Sequence, residues 1–206
     1  MRKFAITAGL TCALALPAIA GAQASPSETP ARPAVDQPKT AKGTSGRAAS
    51  AAENGALAAA DKAFVMEAAG GGMAEVELGR LATEKASDAD VKQFGQRMVD
   101  DHGKGNDELK GLASQKGVTL PADLDAKHKA TRDRLSKLSG RAFDKAYMAE
   151  MVADHNKDVA AFTRASKTAK DADVKAWAAK ILPTLQEHQK LAKDIAAKVR
   201  GSAPGN

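Results

Sequence analysis

The sequence predicts an all-α fold: a ferritin-like four-helix bundle built from two antiparallel hairpins joined by a long, partly helical crossover. Three observations predict it. From residue 57 onward helix formers dominate, and no segment alternates with the period of two that a half-buried strand needs. Four long stretches carry apolar residues at helical spacing, with tight turns after the first and third and a connector of about twenty residues after the second. Finally, Asp88-Ala89-Asp90-Val91-Lys92 recurs as Asp171-Ala172-Asp173-Val174-Lys175 at the start of each hairpin's second helix. The two hairpins therefore look related.

The N-terminus reads as a secretory signal peptide over 1–24. Arg2 and Lys3 form its positive region, Phe4 to Ala20 is apolar and uncharged, and Ala22-Gln23-Ala24 fits small-x-small cleavage. A polar stretch follows rather than a stop-transfer pattern, so no transmembrane anchor is expected after cleavage. The expected location is the periplasm, with association to the outer membrane as a finer version. The only cysteine, Cys12, lies within the signal, which excludes disulfides and thiol chemistry from the mature chain. Losing Arg2 and Lys3 takes the formal charge from +6 to +4, and aromatics are only 3% of the chain. A concentrated basic face with stacking aromatics is lacking, so nucleic acid is not the expected partner.

Residues 25–55 are rich in Pro, Ala, Ser and Thr. Such a segment buries too little apolar surface to offset its ordering entropy and reads as a disordered linker. Residues 56–200 form the bundle, and 201–206 a flexible tail. Deleting 25–55 is expected to leave the melting temperature of the bundle within a few degrees of the full chain; a larger drop would mean that the segment packs on the domain.

The first helix is expected over 57–86, with a bend or a close backbone approach at Gly70-Gly71-Gly72. The second begins at Ser87 as N-cap, with Asp90 three residues on, and ends near Gly117. Pro121 suits the start of a short helix in the connector, ending near Leu138. The third long helix begins near Ser139, with Leu138 and Phe143 spaced as a hydrophobic staple. The fourth spans 171–200 and contains Pro183, which should kink it ahead of His188.

Three of the four histidines sit in one signature, an acid, a histidine, any residue and a lysine: Asp101-His102-Gly103-Lys104, Asp154-His155-Asn156-Lys157 and Glu187-His188-Gln189-Lys190. Each of these histidines falls on the apolar stripe near the middle of a long helix. Counted from the two turns at about 1.5 Å per residue, Glu75 lies level with His102, and His155 with His188. One carboxylate and three imidazoles at mid-bundle suit a single divalent metal such as zinc, copper, nickel or iron. The bland alternative is three hydrogen-bonded core histidines. Asp101, Asp154 and Glu187 point about 100° away from the histidines they precede. They either support the site from behind or, as the favoured reading, make surface pairs with lysines such as Lys104, Lys157 and Lys190. Glu77 is a second candidate on the first helix with poorer phase, and His128 on the connector reads as a half-buried structural residue. Met66, Met73, Met98, Met148 and Met151 read as core filler.

From Asp61 to Val199 the chain resembles a secreted bacterial family, domain of unknown function 4142 (DUF4142), whose members are labelled outer-membrane proteins. The resemblance rests on Ala74-Glu75-Val76-Glu77-Leu78-Gly79, Met98-Val99-Asp100-Asp101-His102, Phe143-Asp144-Lys145-Ala146-Tyr147, His155, and Leu182-Pro183 followed by His188. It implies a ferritin-like bundle in the envelope and supplies no activity. Di-iron ferritins place a carboxylate three residues before a histidine on two helices. Here those positions are Val99, Val152 and Leu185. A mononuclear metal or none is the expectation, and no nucleophile triad, phosphate loop or zinc-protease motif is present. The functional readings are metal handling or envelope stress tolerance, a non-catalytic interaction protein with an envelope protein partner, and an enzyme using the same site for oxygen or peroxide chemistry.

Overall fold

A computed structural model describes residues 56–201. The signal peptide, linker and tail expected from the sequence, residues 1–55 and those beyond Gly201, lie outside the described residues. Five helices are formed: α1 Ala59–Lys85, α2 Ala89–Gln115, α3 Ala126–Ser136, α4 Gly140–Thr168 and α5 Ala172–Gly201. Among the described residues there is no strand, and no helix is long and apolar enough to cross a membrane.

Two buried carboxylates fix the topology. Asp61, at the start of α1, accepts hydrogen bonds from the backbone N–H groups of Lys170 (2.9 Å) and Asp171 (2.8 Å) in the α4–α5 turn. Asp144, at the start of α4, accepts from the N–H groups of Ser87 (3.0 Å) and Asp88 (3.1 Å) in the α1–α2 turn, and from the Ser87 hydroxyl. Each hairpin thus satisfies the other's turn, and α1 and α4 run antiparallel. Lys116, at the end of α2, reaches Asp171 Oδ2 (2.8 Å), so the crossover must return along the bundle to begin α4. α3 does this, packed on α1 and α4, while α2 and α5 adjoin on another side.

The ends of the helices follow from their local chemistry, with two corrections. The N-cap of α2 is Asp88, not Ser87: Asp88 Oδ1 accepts from Asp90 N (2.8 Å) and Val91 N (3.4 Å), because the Ser87 hydroxyl is committed to Asp144. Asp171 treats Asp173 N (2.9 Å) and Val174 N (3.0 Å) in the same way. The short helix starts at Ala126 rather than Pro121, since Asp125 caps it by accepting from His128 N (2.8 Å). α2 is closed two residues past its last residue by Gly117, whose φ of 63° suits glycine. There Val118 N donates to Ala113 O (2.8 Å) and Gly117 N to Ser114 O (3.2 Å), which satisfies two of the last carbonyls.

α1 continues through Gly70-Gly71-Gly72 without a break, and the close approach is at Gly72 alone: a Cβ there would lie 2.2 Å from Asn106 Oδ1 on α2. The α1 and α2 backbones nearly touch at Gly79 and Gly95, where a Cβ on Gly79 would meet the Gly95 carbonyl at 2.6 Å. α5 continues past the exposed Pro183.

Apolar packing lies at the two ends of the bundle. One cluster holds Leu78, Phe94, Met98, Phe143, Tyr147 and Met151. Toward the other end are clusters around Val65, Leu109 and Val174, and around Phe162, Ala178 and Leu185. On every long helix the residues between these clusters are polar: Glu75 on α1, His102 on α2, His155 on α4 and His188 on α5.

The crossed carboxylates should be costly to remove. Asp144→Ala leaves two turn N–H groups without their acceptor, and buried donors lost in this way cost about 1–3 kcal/mol each. A loss of about 3 kcal/mol, roughly 10 °C in melting temperature, is expected from thermal denaturation. A change under about 1 kcal/mol would show that the turn finds water instead.

Candidate metal centre

Four helices each deliver one polar side chain to the same level. Glu75, His155 and His188 are buried, and the His102 side chain is 10% exposed. The ring centroids of the three histidines are 5.4–5.7 Å apart. One nitrogen from each lies within 4.8 Å of the others. Ligands about 2.0–2.1 Å from a tetrahedral metal lie roughly 3.4 Å apart, so small rotations of the three rings would close the set.

The ring orientations are held from behind. His155 Nδ1 donates to the Met151 carbonyl one turn back (3.0 Å). His188 Nε2 donates to Asp101 Oδ2 on α2 (2.9 Å). In a neutral imidazole a protonated nitrogen leaves a lone pair on the other. Those other atoms, His155 Nε2 and His188 Nδ1, are buried without a hydrogen-bond partner. Buried polar atoms in folded proteins generally find one. Fixing one nitrogen to a carbonyl or carboxylate and leaving the other free is how metal-binding histidines are oriented.

Glu75 sits among these rings. Its Oε2 is 2.8 Å from His102 Nε2 and its Oε1 is 3.3 Å from His155 Nδ1. Both contacts are close enough for ion pairing, but neither has the angles of a hydrogen bond, and both oxygens are buried. Burial pushes the Glu75 carboxyl up, but the imidazoles of His102 and His155 outweigh it and hold the group down at about 2. His102 is raised above its ordinary value: burial opposes its charge, but Glu75 favours it more strongly. Burial takes His188 down to about 4 against the pull of Asp101. Phe94 covers one side of the centre, its ring 6.2 Å from His155 and 6.4 Å from His188. Tyr147 packs beyond it, buried, with its hydroxyl unpartnered.

The three acids that precede the histidines separate. Asp101, for which the surface reading was favoured, binds His188 as well as Arg97 (3.3 Å). Asp154 pairs with Lys157 (3.2 Å) and Glu187 with Arg97 (2.8 Å) at the surface. Glu77 turns toward the crossover and meets Arg132 (3.3 Å). His128 is half-buried against Asp125 (3.1 Å) and lines a second pocket that Glu75 and Asp158 also border.

Sequence reasoning missed Asp158. It is half-buried on α4, three residues after His155 and so on the same helix face. It lines a cavity together with Glu75, His102 and His188. Burial, then the neighbouring Glu75 carboxylate, pushes its carboxyl up to about 8. Its signal in the sequence is His155-Asn156-Lys157-Asp158, an acid one position beyond the lysine of the shared signature.

In solved structures the chain is similar to a DUF305 fragment from Deinococcus radiodurans, with a TM-score of 0.62 and 12% identity over 70% of this chain and 99% of that one. It is also similar to a DUF305 protein from Streptomyces coelicolor, with a TM-score of 0.59 and 14% identity over 71% of this chain and 98% of that one. At such identities the likeness shows the fold alone. No curated protein matches the chain in sequence. The model of the family described as Domain of unknown function (DUF4142) matches residues 46–195, which takes in α1, α2, α4 and most of α5, and the chain belongs to that family.

Proposed function

We propose that this chain is a secreted, ferritin-like metal-binding protein that holds one divalent transition metal through His102, His155 and His188, with Glu75 as the fourth donor. The observation that carries this is the pair of buried, partnerless nitrogens, His155 Nε2 and His188 Nδ1, each on a ring whose opposite nitrogen is already fixed. Borderline nitrogen donors with one carboxylate suit zinc, copper, nickel or iron over calcium or magnesium, which take oxygen ligands. The apparent signal at 1–24 supports export to the periplasm, with outer-membrane association as the finer proposal. There the protein would serve metal handling or envelope stress tolerance. Elemental analysis of protein purified from the periplasm without an affinity tag should find about one transition metal per chain. If it finds none, and neither chelator nor added metals move the melting temperature, the histidines are structural and an envelope interaction role replaces this one.

Iron oxidation is not part of the proposal. Di-iron carboxylate bundles use a glutamate from each of two helices plus a Glu-x-x-His pair from each of the others. Here the mutually close donors are imidazoles, with Glu75, Asp158 and the His188-bound Asp101 the acids beside them. Ferrous iron added to the metal-free protein in air is expected to oxidise no faster than in buffer. Rapid stoichiometric oxidation lost on Glu75→Ala would instead make this an oxidase.

A further inference from the structure

The two hairpins are related by an offset of 83 residues. Asp61-Lys62-Ala63-Phe64 matches Asp144-Lys145-Ala146-Tyr147, and Asp88 to Lys92 matches Asp171 to Lys175. The crossed bonds of Asp61 and Asp144 to each other's turns obey the same two-fold relation. Applied to the centre, the offset pairs Glu75 with Asp158 and His102 with Leu185. It also pairs His155 with Gly72, and His188 with Gly105. The two halves have diverged where they meet: two imidazoles of one half face two glycines of the other.

Asn106 fills the space beside Gly72, but Gly105 and Gly71 open onto a cavity of about 210 Å³, whose wall also includes His102, His188 and Asp158. It far exceeds the roughly 10–15 Å³ that admits one water. Phe162, Trp177 and Ile181 form an apolar side. The Trp177 indole N–H is buried without an acceptor. The carboxylates of Glu75, Asp101 and Glu108 also line the cavity, as do the exposed Lys104 and Lys180, the latter bound to Glu108 (2.7 Å).

We infer that this cavity binds a small monoanion, of the size of a short carboxylate, that coordinates the metal beside it. The inference rests on the metal-binding reading above. A divalent ion held by three neutral imidazoles and the Glu75 carboxylate keeps one unit of positive charge, which a monoanion neutralises. Lys104 at the border of the cavity favours its approach, while Lys180 is already paired with Glu108. His155 and His188 have Gly72 and Gly105 as mates, while those of Glu75 and His102 are Asp158 and Leu185, so the open space beside the imidazoles lies next to Gly105, and Phe94 covers another side.

Cobalt(II) serves as the metal, because its visible absorption reports coordination, with azide and acetate as the probe anions. Each anion should shift the cobalt spectrum of the wild type saturably. Gly105→Leu fills the cavity: a Cβ at that position meets only Ile181 Cδ1, at 3.9 Å. This variant should bind one cobalt as before and raise the dissociation constant for both anions at least tenfold. Gly71→Leu borders the same cavity, and its Cβ meets nothing within 4 Å, so it provides the comparison if the first variant folds poorly. A wild type that binds no cobalt overturns the metal reading and this inference with it. Cobalt bound with no response to either anion overturns the inference alone and gives the position to Asp158. An unchanged response in a filled variant that binds cobalt also overturns it, since the anion then reaches the metal by another side.

Discussion

Replacing His102, His155 and His188 together by glutamine is expected to abolish all metal-dependent stabilisation of the bundle. A ligand that binds only the folded chain stabilises it by about 2.7 kcal/mol at a hundredfold excess over its dissociation constant. For a domain of this size that is roughly 5–10 °C in melting temperature. Glutamine keeps the polarity and approximate bulk of histidine, so the helical circular dichroism of the variant should persist. Asp101→Asn tests the same centre from behind. It keeps a side-chain oxygen but removes the charge that faces His188 Nε2. Losing a partner of this kind typically weakens metal binding by about 10–100-fold. A metal shift that survives in the triple variant would place the metal elsewhere on the chain.

The second large effect is one of pH, and it belongs to the metal-free protein. Stability should decline as pH rises from about 6.5 to about 8, because the fold then holds protons that the unfolded chain has released. Asp158, pushed from 3.8 up to about 8, keeps its proton through this window. The stability it contributes is full below about 4 and lost as pH climbs to about 8. His102, raised from 6.5, acts in the same direction above that value. His188 acts oppositely: held at about 4, it stays neutral while the unfolded chain takes up a proton, so stability falls as pH drops from 6.5 toward 4. Between about 4.5 and 6.5 the effects of Asp158 and His188 offset each other. Below 4.5 the lowered Glu75 adds to acid loss. Above 6.5 the Asp158 proton alone amounts to about 2 kcal/mol over 1.5 pH units. Urea denaturation at pH 6.5 and 8.0 should show this decline in the wild type and a clearly smaller one in Asp158→Asn. Equal declines in the two proteins would sink this account of Asp158.

The helices could be read from the chain because helical periodicity is local. Each stripe of apolar residues recurs every three or four positions, and the turns are marked by caps within a few residues. The related hairpins were visible in the repeated Asp-Ala-Asp-Val-Lys segment. Heights along the bundle followed from counting residues from each turn, which is why Glu75 and the three histidines could be placed at one level. The N-cap of α2 was misplaced by one residue for a non-local reason: the serine that should cap it bonds instead to Asp144, 57 residues away in the chain.

Side-chain direction was another matter. An acid one residue before a histidine points about 100° from it, and whether it meets solvent or a neighbouring helix depends on which helix lies there. Asp101 meets His188 because α5 adjoins α2, while Asp154 and Glu187 face outward. The sequence by itself determined the helix count, the hairpin pairing and the level of the polar belt, since all three follow from periodicity and chain length. Only the tertiary structure decided that the crossover returns along the bundle, that Asp158 joins the belt and that Gly105 leaves a cavity beside the imidazoles. These depend on contacts between helices distant in sequence, whose rotation about their own axes is set by packing.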